Sequence, residues 1–233
     1  MDLRELMVHL GRAEDDGWKA IGGSLGCAIL WSYAELFTTK AFTHMVFVDQ
    51  SPLQNSTLDG WDSKFCNRVM NNVAALSSLQ TTLAFSPETA HKGTIAACLG
   101  YRYAPLSTDN VSVAEAGSDE AFFLGEAMNG NPRWLGKLME DHTSKDWRDS
   151  IHATFGPESG SKTRVLVVAS SRSGCFPAEG PLKVLELVNR REGMDGGDDR
   201  ARGIAVNWGG HWCYWEDPAR FDLEVLRFLR SGV

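Results

Sequence analysis

Gly22-Gly23-Ser24-Leu25-Gly26 reads G-x-S-x-G, with an apolar stretch from Trp18 to Ile21 before it and a helix-like apolar run from Leu25 to Phe37 after it. A serine at a bend between a strand and a helix presents its hydroxyl for attack on an electrophilic carbon, the arrangement called a nucleophile elbow. Such a bend strains the serine backbone and crowds the residues two before and two after it. Gly22 and Gly26 are therefore expected to let the turn close, because glycine has no Cβ to clash. The helical N–H groups, beginning with Leu25, face whatever sits over Ser24 Oγ, which supplies half of an oxyanion site. A strand, glycine turn and helix can also open a dinucleotide-binding unit, with Asp49 at the end of the next apolar run as the ribose-binding acid. The glycines count against that alternative. Matching Gly23 and Gly26 to the last two glycines of G-x-G-x-x-G puts Ile21 at the first, where its side chain blocks the tight turn.

Several elements must carry these residues. Leu3, Leu6, Met7 and Leu10 fall at helical spacing ahead of Gly11, and Arg12 to Gly17 reads as a polar loop. After the Leu25–Phe37 helix, Met45 to Asp49 is a buried strand by its continuous apolar character. A right-handed strand–helix–strand crossover puts Ser24 and Asp49 at the same carboxyl edge of a parallel sheet. From residue 51 to 160 no convincing β run appears. Apolar residues recur there at helical spacing (Phe65, Val69, Val73, Leu76 and Leu79, then 121–128 and 134–139), broken by prolines. One crossover needs far fewer residues, so 51–160 is expected to be a helical cap inserted into a core made of 1–50 and 161–233. The sheet resumes at Arg164 to Ala169. A loop from Ser170 to Gly180, a helix near 182–191 and a glycine- and aspartate-rich loop over 192–202 follow. A short strand at 203–208, the stretch Gly209-Gly210-His211-Trp212 and an amphipathic helix near 218–229 close the chain.

Composition narrows the partners. A net charge of −7 without a basic stripe argues against nucleic acid and anionic membranes. No apolar run is long enough to span a bilayer, and the N-terminus has no signal-peptide core. The five cysteines (Cys27, Cys66, Cys98, Cys175 and Cys213) are odd in number and form no C-x-x-C pair. A disulfide framework, a metal site and a cofactor are thus not expected, and a reducing, cytoplasmic setting is.

Taken together, the chain resembles the α/β-hydrolase superfamily, of the serine-nucleophile type with a helical cap. The residues that carry the resemblance are Gly22-x-Ser24-x-Gly26, then Val48-Asp49-Gln50-Ser51-Pro52, then Gly210-His211-Trp212 followed by Glu216-Asp217-Pro218 and Phe221. The order of nucleophile before histidine fits the family. The resemblance implies a partial α/β-hydrolase sheet of about four parallel strands, and roles for the site. Ser24 would attack a small ester or related acyl substrate, His211 would take and return the proton, and a carboxylate would orient the imidazole. The position that usually carries this acid is Ser173 here. Asp49 is the first choice in its place, as in the minority of relatives with the acid after the strand following the elbow, and Glu179 is the second. Family members also place several strands ahead of the elbow and an early loop that donates the second oxyanion N–H. Here Ser24 follows a single helix, so an N-terminally shortened form is expected, with an open sheet edge suited to self-association. Losing half an oxyanion hole costs on the order of 10²–10³ in rate. Two readings therefore stay open: a serine hydrolase, and a catalytically impaired relative that binds a ligand or partner.

Overall fold

The computed structural model describes residues 2–11, 17–56, 61–100, 113–189 and 200–231. Within them, β1 (Trp18–Gly23), β2 (Phe42–Val48), β3 (Arg164–Ser170) and β4 (Ala201–Val206) form one parallel sheet in the order β1-β2-β3-β4. The two inner strands explain the sheet. Met45, Phe47, Val165 and Val167 point to one face, and Val46, Val48, Leu166 and Val168 to the other. Each is at most 2% exposed, so both faces are covered, as parallel sheets require.

The first face packs on α2 (Leu25–Phe37), α7 (Arg148–Phe155) and α8 (Glu179–Asn189). Trp31 of α2, Phe47 and Phe155 of α7 meet edge to face, with ring centroids 5.6 and 5.7 Å apart. On the second face, α10 (Pro218–Ser231) lays down Phe221, Val225 and Phe228, a stripe at helical spacing. The remaining helices are α1 (Asp2–His9), α3 (Val73–Phe85), α4 (Pro87–Cys98), α5 (Val113–Met128), α6 (Pro132–Ser144) and the short α9 (Cys213–Glu216). Residues 51–160 thus contain helices and no strand of the sheet among the described residues. Helix α7, although inside that range, packs into the sheet's own core through Ile151 and Phe155.

Local chemistry moves some boundaries from their expected places. Phe65 and Val69 do not share a helix with Val73. Asn67 Oδ1 accepts the N–H groups of Val69 and Met70, and Asn72 caps α3 by accepting the N–H of Ala75, so the chain turns before the helix starts. Strand β4 begins two residues before the expected Gly203, because the Asn189 side chain pairs with both the N–H and the carbonyl of Ala201. Of the expected loops over 12–17 and 192–202, residues 12–16 and 192–199 lie outside the described residues, and 201–202 belong to β4. No helix among the described residues is long and apolar enough to cross a membrane.

Candidate active site

Ser24 is the residue between β1 and α2, with φ 52° and ψ −120°. That conformation is sparsely populated for a residue with a Cβ and costs on the order of 1–3 kcal/mol. Ser24 N–H donates to the Val48 carbonyl at 2.9 Å and the Ser24 carbonyl accepts Cys27 N–H at 2.8 Å. The hydroxyl is not used to cap α2. A Cβ on Gly22 would lie 2.6 Å from the backbone of Gly26, so glycine at 22 is needed for the bend. Gly26 differs from its expected role: a Cβ there would meet nothing within 4 Å. It is the backbone that Gly22 presses against, not a second steric exception. Leu25 opens α2, so its N–H has no intrahelical acceptor.

Asp49 ends β2, one register step beyond the Gly23–Val48 pair, and so lies beside Ser24 at the carboxyl edge. It is fully buried and has φ 49°. Its N–H donates to the Val168 carbonyl at 2.7 Å, its Oδ1 accepts Ser170 N–H at 2.9 Å, and its Oδ2 lies 2.7 Å from His211 Nδ1. A carboxylate can only accept, so Nδ1 carries a proton in this contact.

The His211 loop is braced from several sides. Glu216 accepts the N–H groups of Gly100 and Gly210, Ser170 Oγ donates to the Gly209 carbonyl, and Trp212 N–H donates to the Cys98 carbonyl at 3.0 Å. Gly100 and Gly210 touch through their backbones; a Cβ on either would come within 2.4 Å of the other's nitrogen. Phe176 lies 5.9 Å from the imidazole, centroid to centroid. Trp212 and Trp215 pack on Phe123 of α5, and Trp215 also stacks on Phe122. Tyr214 closes the circle, since its ring sits against Gly23 at the bend.

Burial alone would lower the His211 pKa. An ionised Cys175, and the hydrogen bond and charge of Asp49, act the other way, and the balance is a rise to about 9. Contact with Cys98 and burial hold the Cys175 thiol well above the usual thiol range, so at neutral pH the working cause is Asp49. His142 of α6 moves oppositely: burial first, then the charge of His211, lower it to about 4.

The structure therefore brings Asp49 and His211 into direct contact and sets Ser24 on the adjoining strand end. The second candidate acid, Glu179, is the exposed first residue of α8. Ser173 is buried, and its Oγ accepts the N–H groups of Cys175 and Phe176, pinning the loop that carries Phe176. Cys98, Cys175, His142 and Phe176 also lie near His211, and no local pattern in the sequence points to them. Two cavities lie nearby. One of about 280 Å³ between α3 and α4 is lined by Val69, Met70, Leu79, Ala90, Ala97 and Cys175, among others. A larger one of about 630 Å³ runs along α2 toward α1 and α6, with Leu25 and His142 in its wall.

No family model matches the sequence, and no curated protein matches it. Solved structures do. A bromoperoxidase from Bacillus anthracis superposes with a TM-score of 0.76 at 14% identity, over 99% of this chain and 72% of that one. An esterase from Exiguobacterium antarcticum gives 0.76 at 12% identity, over 99% and 72%. The enol-lactonase from Burkholderia xenovorans LB400 gives 0.69 at 11%, over 99% and 71%. This protein has the α/β-hydrolase fold.

Proposed function

We propose that the chain is a serine hydrolase of small, apolar esters or related acyl compounds. Ser24 is the nucleophile, presented at an elbow. His211 Nε2 takes its proton and returns it to the leaving group. Asp49 holds the imidazole in the Nδ1–H tautomer and stabilises the imidazolium, and the Leu25 N–H is one oxyanion donor. The observation that carries this reading is the buried 2.7 Å contact between Asp49 and His211, on the strand end next to the strained Ser24. Esterases and a lactonase among the structural neighbours agree with it. The part of 51–160 ahead of α7 acts as the cap, and the apolar cavity between α3 and α4 takes the acyl group; it reaches Cys175, whose sulfur is close to the imidazole.

A fluorophosphonate probe tests the reading. The folded wild type should be labelled on Ser24, Ser24→Ala should lose all labelling, and His211→Ala should slow it by ~10³-fold or more. Equal labelling of Ser24→Ala, or none of a folded wild type, overturns it. The second reading, binding without turnover, draws on one observation: among the described residues β1 is the outer strand of the sheet, so the Ser24 bend has a strand neighbour on one side only there. It predicts that small esters raise the melting temperature without being cleaved, equally in Ser24→Ala.

A further inference from the structure

Cys98 is the last residue of α4, and Cys175 lies in the loop after β3, 77 positions further along the chain. Their sulfurs are 3.9 Å apart, and a ring nitrogen of His211 lies within 4.8 Å of both. We propose that Cys98, Cys175 and His211 bind a thiophilic divalent cation of the zinc type, and that this cation switches the site off by occupying His211 Nε2.

The dimensions fit. Zinc–sulfur bonds of about 2.3 Å at a tetrahedral angle set two sulfurs about 3.8 Å apart, and a zinc–nitrogen bond of about 2.1 Å sets nitrogen and sulfur about 3.6 Å apart. The sulfurs already have that spacing, and the nitrogen is within a side-chain adjustment of it. The backing of the imidazole fits as well. A zinc-bound histidine characteristically donates its other N–H to a carboxylate, which fixes the tautomer and raises ligand basicity. Asp49 does this to Nδ1 at 2.7 Å. A path to the cluster exists, since Cys175 lines the cavity between α3 and α4.

Ordinary packing accounts for less of this. Cys98, Cys175 and Phe176 do form an apolar cluster with Ala97 and Trp212. The approach of a His211 ring nitrogen to within 4.8 Å of both sulfurs is what apolar filling leaves out. Cysteine binds such a metal as the thiolate. Binding therefore releases thiol protons, and affinity should fall as pH falls.

Metal binding itself does not depend on the proposed hydrolase activity, whereas the switching-off rests on it. The test is titration of the reduced, full-length wild type with Co²⁺ and separately with Cd²⁺, following the thiolate-to-metal charge-transfer band. One equivalent should saturate the band. Cys98→Ser and Cys175→Ser should each weaken binding by tenfold or more, and Asp49→Asn by about 10–100-fold. Cys66→Ser, a buried cysteine outside the cluster, should leave the band unchanged. Should the cluster variants fail to fold, alkylation of the wild type serves: Cd²⁺ should protect Cys98 and Cys175 and leave the reactivity of Cys66 unaltered. Absence of a band in a folded, reduced wild type overturns the proposal. So does a band that survives both single variants, or a Cys98–Cys175 disulfide in protein whose reduced form binds no metal. In parallel, Zn²⁺ should lower ester turnover at least tenfold, reversibly with a chelator. Turnover that stays unchanged while the band is fully developed overturns the switch. A band without any ester turnover, with or without metal, supports the site and counts against the hydrolase reading instead.

Discussion

Ser24 and Asp49 are neighbours at the ends of adjacent strands, and both have left-handed φ, yet they are held very differently. Asp49 ends an inner strand. It is fully buried, and its N–H and both of its carboxylate oxygens are hydrogen-bonded, to β3 and to His211. Ser24 ends the outer strand, is half-buried, and is fixed by two backbone hydrogen bonds and the close approach of Gly22 to Gly26. The interior of the sheet thus pre-organises the Asp49–His211 pair, while Ser24 depends on local backbone sterics. Strain at Ser24 is sustained only as long as the bend is packed.

Replacing Asp49 by Asn attacks the rigid end of this comparison. It keeps the shape and removes the charge, so ester turnover should fall ~10³–10⁴-fold with little change in the circular dichroism spectrum. A loss smaller than tenfold in kcat would place the acid elsewhere. Gly22→Ala attacks the other end. Its Cβ meets the Gly26 backbone at 2.6 Å, and should cost about 1–3 kcal/mol in denaturant unfolding. Gly26→Ala is the contrast, because the space is open and φ is not positive. It should be neutral, or stabilising by up to about 1 kcal/mol through helix propensity. Equal destabilisation by the two would mean that the bend is crowded from both sides.

The two histidines sharpen the comparison through pH. In the proposed role His211 must be neutral to accept a proton, so turnover should climb as pH rises from 6 through its raised pKa. Stability runs the other way. The contribution from charged His211 beside Asp49 is complete below about pH 6.5 and is lost as pH rises above that through the raised pKa. Opposite slopes of rate and melting temperature over that window are expected, and parallel slopes would contradict the pairing. The smallest effect belongs to His142. Its pKa is lowered to about 4, so the unfolded chain takes up the proton first and stability drops as pH falls from about 6.5 to 4. His142→Gln should flatten that acid limb in a series of thermal melts.

The sequence discloses these features unevenly, for physical reasons. The Ser24 bend and the span of α2 are legible because apolar periodicity and a glycine pinch are local signals. The shared edge of Ser24 and Asp49 is legible because crossover handedness is nearly invariant. Which of two close glycines is the intruder cannot be read from spacing, and Gly26 shows it. The break between Phe65 and Val73 hides for a similar reason, since Asn67 and Asn72 override a helical spacing with side-chain hydrogen bonds. Cys98, Cys175 and His211 meet only because α4 is packed against the two loops beyond β3 and β4. No pattern along the chain encodes that meeting.

The back-to-back contact of Gly100 with Gly210 has a practical bearing on redesign. Where two main chains abut with nothing between them, any repositioning of one drags the other along. An engineer who enlarges the cavity between α3 and α4 by shifting α4 would also disturb the His211 imidazole. The safer route is to recut the opposite wall, trimming Leu79 and its neighbours on α3, and to leave the glycine seam alone.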